Sequence, residues 1–346
     1  MFAPKYAVTP KLLANIKRIA VLASTLNHSR FPDVVLMEFE RRAGVLSAYA
    51  STSIEGNPLP LTEVRKILKS QPHTVRESER EVLNYNKALK DLNVAIKRGG
   101  AKCSVALLLR LHAHIMHGLQ DKFRCGKFRR EPVFVRNPKT RKTVYWPPDH
   151  GDVPKLMSEL VTFVTTNHAS IDPLILAGFF HKQFVIIHPF MDGNGRTTRL
   201  ATKAILANMG LDTFHLFSFE NYYNQNVGRY FQQVGVKGNY YDVAADLDFT
   251  EWLEYFTDGM IDELLRVEKA LRTASVTPDT MLKPYHVKLI DYIKQYGFIA
   301  DADYAKLVDR AKATRSLDFK KLLAMKILVR LGKGKSTHYK LTDNNG

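Results

Sequence analysis

Twelve consecutive residues, His188-Pro189-Phe190-Met191-Asp192-Gly193-Asn194-Gly195-Arg196-Thr197-Thr198-Arg199, carry a base, a carboxylate, two glycines around an asparagine, and two arginines. Side chains of these types at this spacing can hold a polyphosphate and activate a nucleophile beside it. The glycines let the backbone fold tightly enough for several N–H groups to point at one anion. Arg196 through Met209 reads as a helix, so the loop lies at a helix N-terminus, where anions are favoured. Arg196 and Arg199 are three apart and share a face of that helix. Asp192 can hold a magnesium ion, and His188 has the pKa range for proton abstraction near neutral pH.

A loop of this kind needs helices on both sides. Asp172-Pro173 is an N-cap and first position for a helix that ends near His188. Upstream, helices are predicted over Thr9–Leu26, Val34–Ile54, Thr62–Leu68, Arg76–Lys97, Val105–Leu119 and Val153–Asn167. Gly56-Asn57-Pro58 stops the second of these. Pro132-Val133-Phe134-Val135 and Thr143-Val144-Tyr145 are β-like runs around a turn at Asn137-Pro138-Lys139-Thr140, a small hairpin. An aromatic-rich segment covers Phe217 to Phe231, a further helix runs from Phe249 to Thr273, and Thr277-Pro278 reads as a linker. The last 64 residues have their own pattern. Helices at Tyr285–Tyr296, Asp301–Val308 and Thr314–Met325 precede strands at Ile327–Leu331 and Thr337–Leu341, with Leu317, Leu322 and Leu323 expected on the inner side of the third helix. Three helices and a basic hairpin resemble a winged helix-turn-helix domain.

The 346 residues give ample core and suggest two or three domains. Two cysteines, Cys103 and Cys125, make no disulfide framework, which points to the cytoplasm. The start of the chain has no secretory pattern, and the most apolar stretch, Leu174–Phe190, is broken by His181, Lys182 and Gln183, so no membrane span is expected. The net charge of +17 is uneven. Residues 97–142 hold 13 Lys and Arg against 2 acidic residues, and residues 283–346 hold 14 against 6. Two basic zones suggest anionic partners at two places, although such runs are most often solvated surface. His112, His114 and His117 do not share a helix face, which argues against a metal cluster; His181 reads as a packed structural histidine.

The 188–199 string matches the Fic family signature HPFxDGNGRxxR at every fixed position, and the chain resembles that family over nearly its whole length. Ser51-Thr52-Ser53-Ile54-Glu55-Gly56 is similar to the family's inhibitory motif, (S/T)xxxE(G/N). Glu55 falls at a helix C-terminus, an unfavourable place for an acid. In the family this glutamate pairs with the second signature arginine, here Arg199, and blocks it from the nucleotide γ-phosphate. Gly126-Lys127-Phe128-Arg129, the hairpin and Trp146-Pro147-Pro148 look like the segment around the family's active-site flap. Tyr230 looks like the aromatic that flanks the adenine, although Tyr230-Phe231 stands where the family often has two tyrosines.

The resemblance implies a mainly α fold: a Fic-type helical core with a β-hairpin flap, plus the C-terminal winged helix-turn-helix. Its domains would be an N-terminal region with the inhibitory helix (1–75), the catalytic core (76–275) and the winged helix (280–346). The implied activity is transfer of AMP from ATP to a Ser, Thr or Tyr hydroxyl of a protein, the chain itself included. His188 would be the base, Asp192 the ligand of Mg2+, Gly193, Asn194 and Gly195 the anion hole, and Arg196 and Arg199 the phosphate clamps. Tyr230 would meet the adenine, and Ser51, Glu55 and Gly56 would inhibit. Val133, Val135, Val144 and Tyr145 would dock the target segment by strand addition. The related Doc kinases carry a lysine in place of the second glycine, so Gly195 argues for nucleotidyl transfer. Phosphocholine transfer is a further family chemistry, and Glu55 would also support removal of AMP. The competing reading is a DNA-binding regulator, contacting DNA through residues 280–346, whose Fic domain senses nucleotide. A homodimer is compatible with either reading.

Overall fold

The computed structural model describes residues 2–342 apart from positions 30, 32, 71, 73, 137–139, 209–214, 217, 274–281 and 326. The turn at Asn137–Lys139 and the linker at Thr277-Pro278 therefore lie outside the described residues. Two compact units are present. The first takes in residues 1–29, 42–68 and 72–269, so the segments read as an N-terminal region and a catalytic core fall largely into one body. The second takes in residues 30–41, 69–71 and 270–346.

In the first unit α1 (Pro10–His28) starts where Thr9 caps Leu12 N–H and Pro10 takes the first position. It is followed by α2 (Asp33–Ile54), whose first residues belong to the second unit, then α3 (Leu61–Ser70), α4 (Glu77–Lys97) and α5 (Val105–Ile115). Strands β1 (Val135–Arg136) and β2 (Thr143–Trp146) come next, then α6 (Val153–Thr166), α7 (Pro173–Ile187) and α8 (Asn194–Asn208). The unit closes with α9 (Phe219–Gln225), α10 (Val227–Val234), β3 (Gly238–Asn239), α11 (Tyr240–Val243) and α12 (Thr250–Thr273).

Helix α7 is apolar apart from His181, Lys182 and Gln183, and nearly all of it is buried, those three included, so it forms the axis of the unit. At Gly178 it touches α12 closely enough that a Cβ would stand 2.5 Å from Leu253 Cδ2. There the Trp252 indole donates to Gly178 O at 2.8 Å. The partner helix α8 is equally buried but reads Asn-Gly-Arg-Thr-Thr-Arg-Leu-Ala-Thr-Lys, so its core face is polar and charged. It begins at Asn194, two residues earlier than predicted, which brings both Asn194 and Gly195 into its first turn.

The hairpin is present, but smaller on one side and larger on the other than the sequence predicts. Val133 and Phe134 stay outside the ladder, and β1 pairs antiparallel with β2. On the far side of β2 lies β3, in parallel register. Two residues with a glycine at φ +99° carry no strand signature, which is why sequence missed β3. The Tyr145 hydroxyl donates to Ile186 O at 3.0 Å and moors this sheet to the end of α7.

The second unit contains α13 (Pro284–Tyr296), α14 (Asp301–Leu307), α15 (Lys312–Ala324) and the antiparallel pair β4 (Leu328–Leu331) and β5 (His338–Leu341). Leu322 is buried as predicted, but Leu317 is 61% exposed. The inner face of α15 is instead Asp318, Phe319 and Leu322. Asp318 escapes a hydrophobic reading because it is an acid, yet it is buried and accepts from Tyr304 Oη (3.0 Å), Arg310 Nε (2.9 Å) and Arg310 Nη2 (3.1 Å). Among the described residues no helix is long and apolar enough to cross a membrane.

The close approach of α7 and α12 makes Gly178→Val an overpacking substitution. It should cost about 2–3 kcal/mol and lower the urea midpoint. An unchanged midpoint would mean that the two helices can move apart freely at this point.

Candidate active site

His188 ends α7 with φ 52° and ψ 58°, a left-handed conformation that a side chain with a Cβ seldom adopts. Several contacts hold it there. Its N–H donates to Phe184 O (3.0 Å), and its carbonyl accepts from Arg129 Nε (2.9 Å). Arg129, 4% exposed, also donates to Glu131 O and Pro148 O, while its own backbone N–H reaches Pro189 O. One arginine thus ties the segment before the flap to the loop after α7. The His188 imidazole places Nδ1 3.2 Å from Val185 O. A carbonyl only accepts, so Nδ1 carries the proton and Nε2 keeps a lone pair. Burial lowers the pKa of this ring. A neutral imidazole with a free Nε2 is the form a general base needs.

The loop between His188 and α8 is clasped from inside. Asn194 Oδ1 accepts from Phe190 N and Asn194 Nδ2 donates to Phe190 O, both at 2.9 Å. Phe190 stacks on His112 with ring centroids 3.7 Å apart. His112 Nδ1 accepts from Gly126 N (2.9 Å), which leaves Nε2–H to donate to Asp192 O (3.0 Å). Burial pushes His112 down to about 4. Sequence set this residue aside with His114 and His117, and the structure makes it a brace between Gly126 and Asp192. No spacing rule could have found it, because its partners lie far along the chain. Gly193 has φ +78°, and a Cβ there would meet Met116 Sδ at 2.8 Å.

Both arginines of α8 are buried and both meet acids. Arg196 reaches Glu81 Oε1 on α4 and Asp192 Oδ1, at 2.5 and 2.9 Å. Glu81 was not foreseen. It accepts from Asn57 Nδ2 at 2.6 Å, and burial raises its pKa. Arg199 donates from Nε to Ser51 Oγ (2.7 Å) and from Nη2 to Ser51 O (2.8 Å) and Glu55 Oε1 (2.7 Å). Burial opposes the Arg199 charge, and the Glu55 carboxylate together with the nearby Tyr230 and Tyr85 holds its pKa above the ordinary value all the same. Further along the same pair of helices, Lys203 Nζ donates to Ser47 Oγ (2.7 Å) and lies 3.2 Å from the buried Glu220. Ser47, Ser51 and Glu55, at four-residue steps, therefore face Lys203, Arg199 and Gly195. A Cβ at Gly195 would run into Glu55 Oε1, so the carboxylate sits directly on the first turn of α8. Gly56 follows with φ +95° and ends α2.

Two sequence-based placements need correction. Tyr230, expected beside an adenine, is 1% exposed, stacks on Tyr223 at 4.6 Å and lies 3.1 Å from His181 Nε2 through its hydroxyl. The exposed ring of that segment is Phe231. His181 itself is buried between Thr202 Oγ1 and Tyr230, a structural histidine as read. Tyr145, expected in the docking surface, is 3% exposed and serves as the mooring of the sheet. Val133, Val135 and Val144 are half-buried.

The site suits a polyphosphate. Arg199 Nη1 and Arg196 Nε are buried donors without a hydrogen-bond partner. The first N–H groups of α8 have no carbonyl one turn before them. Asp192 is 63% exposed at its side chain and engages Gly193 N and Arg196 through Oδ1. Among the described residues no three His, Cys, Asp or Glu converge. A divalent ion here would have one protein carboxylate and otherwise phosphate and water oxygens, the pattern that suits magnesium.

Residues 102–206 match the family model described as Fic/DOC family. Protein adenylyltransferase Fic of Drosophila persimilis is 29% identical over 217 residues, covering 57% of this chain and 41% of that protein. The protein of the same name from Culex quinquefasciatus is 30% identical, with 57% and 42% covered. The chain thus spans about two fifths of the length of the curated relatives it matches. In fold it is similar to a Fic family protein from Desulfovibrio desulfuricans (TM-score 0.62, 22% identity, 99% of this chain and 98% of the other). It is also similar to residues 134–508 of Fic-1 from C. elegans (TM-score 0.60, 23% identity, 76% and 74% covered).

The buried neutral histidines fix a pH dependence of stability. The unfolded chain takes up protons on histidine below about pH 6.5, whereas folded His112 stays neutral down to about 4. Stability is therefore lost as pH falls through that window, by about 2 kcal/mol at pH 5 from His112 alone. The urea midpoint should drop between pH 7 and 5, and less steeply in His112→Gln. A midpoint independent of pH in the unsubstituted chain would contradict this.

Proposed function

We propose that this chain, which carries a Fic-family domain in residues 102–206, transfers AMP from ATP to a Ser, Thr or Tyr hydroxyl of a protein, itself included, and that Glu55 restrains the reaction. The observation that carries the reading is the Glu55 carboxylate bound to Arg199 and seated on Gly195 at the N-terminus of α8. An anion already fills the place that the loop and helix offer to a phosphate. The adenylyltransferase names of the curated relatives support the same reaction class.

In the reaction, the acceptor hydroxyl gives its proton to His188 Nε2. Its oxygen forms a bond to the α-phosphorus as the bond to the β-phosphate bridging oxygen breaks, and pyrophosphate leaves. Arg196 and Arg199 hold the β- and γ-phosphates, and the N–H groups of Asn194 and Gly195 face the oxygens. Asp192 would hold a magnesium ion, which would neutralise part of the polyphosphate charge. Positioning and charge stabilisation are the main work in such a transfer. Inhibition follows from like charge: a γ-phosphate and the Glu55 carboxylate compete for one guanidinium. The outer edge of β1 receives the target segment, and Arg129, which precedes that strand in the chain, holds the catalytic loop through His188 O and Pro189 O.

Labelling of the purified chain with radioactive ATP and magnesium tests both halves. Glu55→Gly should raise self-labelling by about tenfold or more. Adding His188→Ala to it should reduce labelling by about 100-fold or more with ATP binding retained. Labelling unchanged by Glu55→Gly would contradict the restraint, and labelling retained without His188 would contradict the base.

A further inference from the structure

We infer that the target segment received on the free edge of β1 is acidic, an extended stretch of protein with Asp or Glu on both sides of its acceptor hydroxyl. This rests on the transfer reading above, which makes that edge the docking edge. In the sheet order β1-β2-β3, β3 covers one side of β2 and, among the described residues, nothing pairs with the other edge of β1. From Val133 to Arg136 the chain alternates, with Val133 and Val135 half-buried and Phe134 and Arg136 exposed. Such an edge is a template for a further strand, and main-chain pairing alone is indifferent to sequence.

The charge around the edge is not indifferent. Between positions 122 and 142 there are nine Lys and Arg and one acid, Glu131. Glu131 is paired with Arg124 at 3.0 Å, and Arg129 is buried on backbone carbonyls. Lys122, Lys127 and Arg130 remain exposed before the flap, and Arg136, Arg141 and Lys142 remain exposed on it. Among the described residues none of these six is within salt-bridge distance of a carboxylate. One exposed charge is worth little, but six along the stretch of chain that leads into and through the flap make a field that attracts an anionic partner and disfavours a cationic one. A nucleic acid would feel the same field. The strand edge and the exposed Phe134 beside it favour a peptide, which can supply both backbone and side-chain contacts.

Fluorescence anisotropy on the full chain tests this with dye-labelled peptides of about twelve residues, each with a central threonine among β-branched residues. Glutamate-, glutamine- and lysine-flanked versions are compared, with a glutamate version in which prolines block strand pairing. The glutamate peptide should bind about tenfold or more tighter than the glutamine peptide at low salt, and the gap should close in about 0.5 M NaCl. The proline version should bind poorly, and Arg136→Glu with Arg141→Glu should shift preference to the lysine peptide. Equal binding of glutamate and glutamine peptides would overturn the inference. So would a proline peptide or single-stranded DNA of equal charge that competes as well as the glutamate peptide, since that would mark a general polyanion surface. AMP transfer to the same peptides is measured in parallel on Glu55→Gly, in which the restraint is removed. Docking with the expected preference but no transfer would contradict the proposed reaction alone, whereas transfer at equal kcat/KM to glutamate and glutamine peptides would contradict only the acidic preference.

Discussion

Arg196 and Arg199 place two positive charges on a helix whose side chains are almost all buried, and a cation removed from water must be answered by an anion. Much of the site's arrangement follows from that constraint. Glu81 and Asp192 answer Arg196, Glu55 answers Arg199, and one turn further Glu220 answers Lys203. The acids come from α4, from the loop, from the end of α2 and from α9, so charge balance along α8 fixes where its neighbours lie. Glu55 is a structural counter-ion of Arg199 and, on the proposed function, also a competitor of substrate. Its carboxylate can leave only if another anion takes its place, and a nucleotide γ-phosphate is such an anion. The orphaned Nη1 of Arg199 shows that even with Glu55 in place the guanidinium is not fully satisfied.

The histidines solve the opposite problem. A further positive charge beside two buried arginines would be costly, and His112, His181 and His188 are all held below their ordinary pKa by burial. Hydrogen bonding gives each neutral ring a separate use. His112 accepts on one side and donates on the other to brace the loop, His181 joins α8 to α10, and His188 is left with Nε2 free. The same residue type thus supplies two fasteners and one ring with a free nitrogen, the proposed base, distinguished by which partners each nitrogen finds rather than by the sequence around it.

The signature from His188 to Arg199 was legible because its chemistry is local. A base, an acid, two glycines and two arginines lie within one loop and one helical turn. Glu55 was legible as well, as an acid at the wrong end of a helix beside a recognisable motif. Glu81, His112 and Arg129 were not, because each acts across a gap of tens of residues and sits in an ordinary helical or loop context. Tyr230 and Tyr145 were misplaced for a related reason: an aromatic in a functional segment reads the same whether its ring faces a pocket or the core. The long helices lie close to their expected positions, since caps and apolar periodicity are short-range signals, whereas the short α9, α10 and α11 and the two-residue β3 have too little periodicity to read.

The claim on which the account turns is that Glu55 occupies the seat of a nucleotide's terminal phosphate. Calorimetric titration with ATP and with AMP, on the unsubstituted chain and on Glu55→Gly, reads that seat directly. The account predicts that ATP binds about as weakly as AMP to the unsubstituted chain, and that loss of Glu55 tightens ATP by about tenfold or more while leaving AMP nearly unchanged. An advantage of ATP over AMP that is the same with and without Glu55 would contradict it.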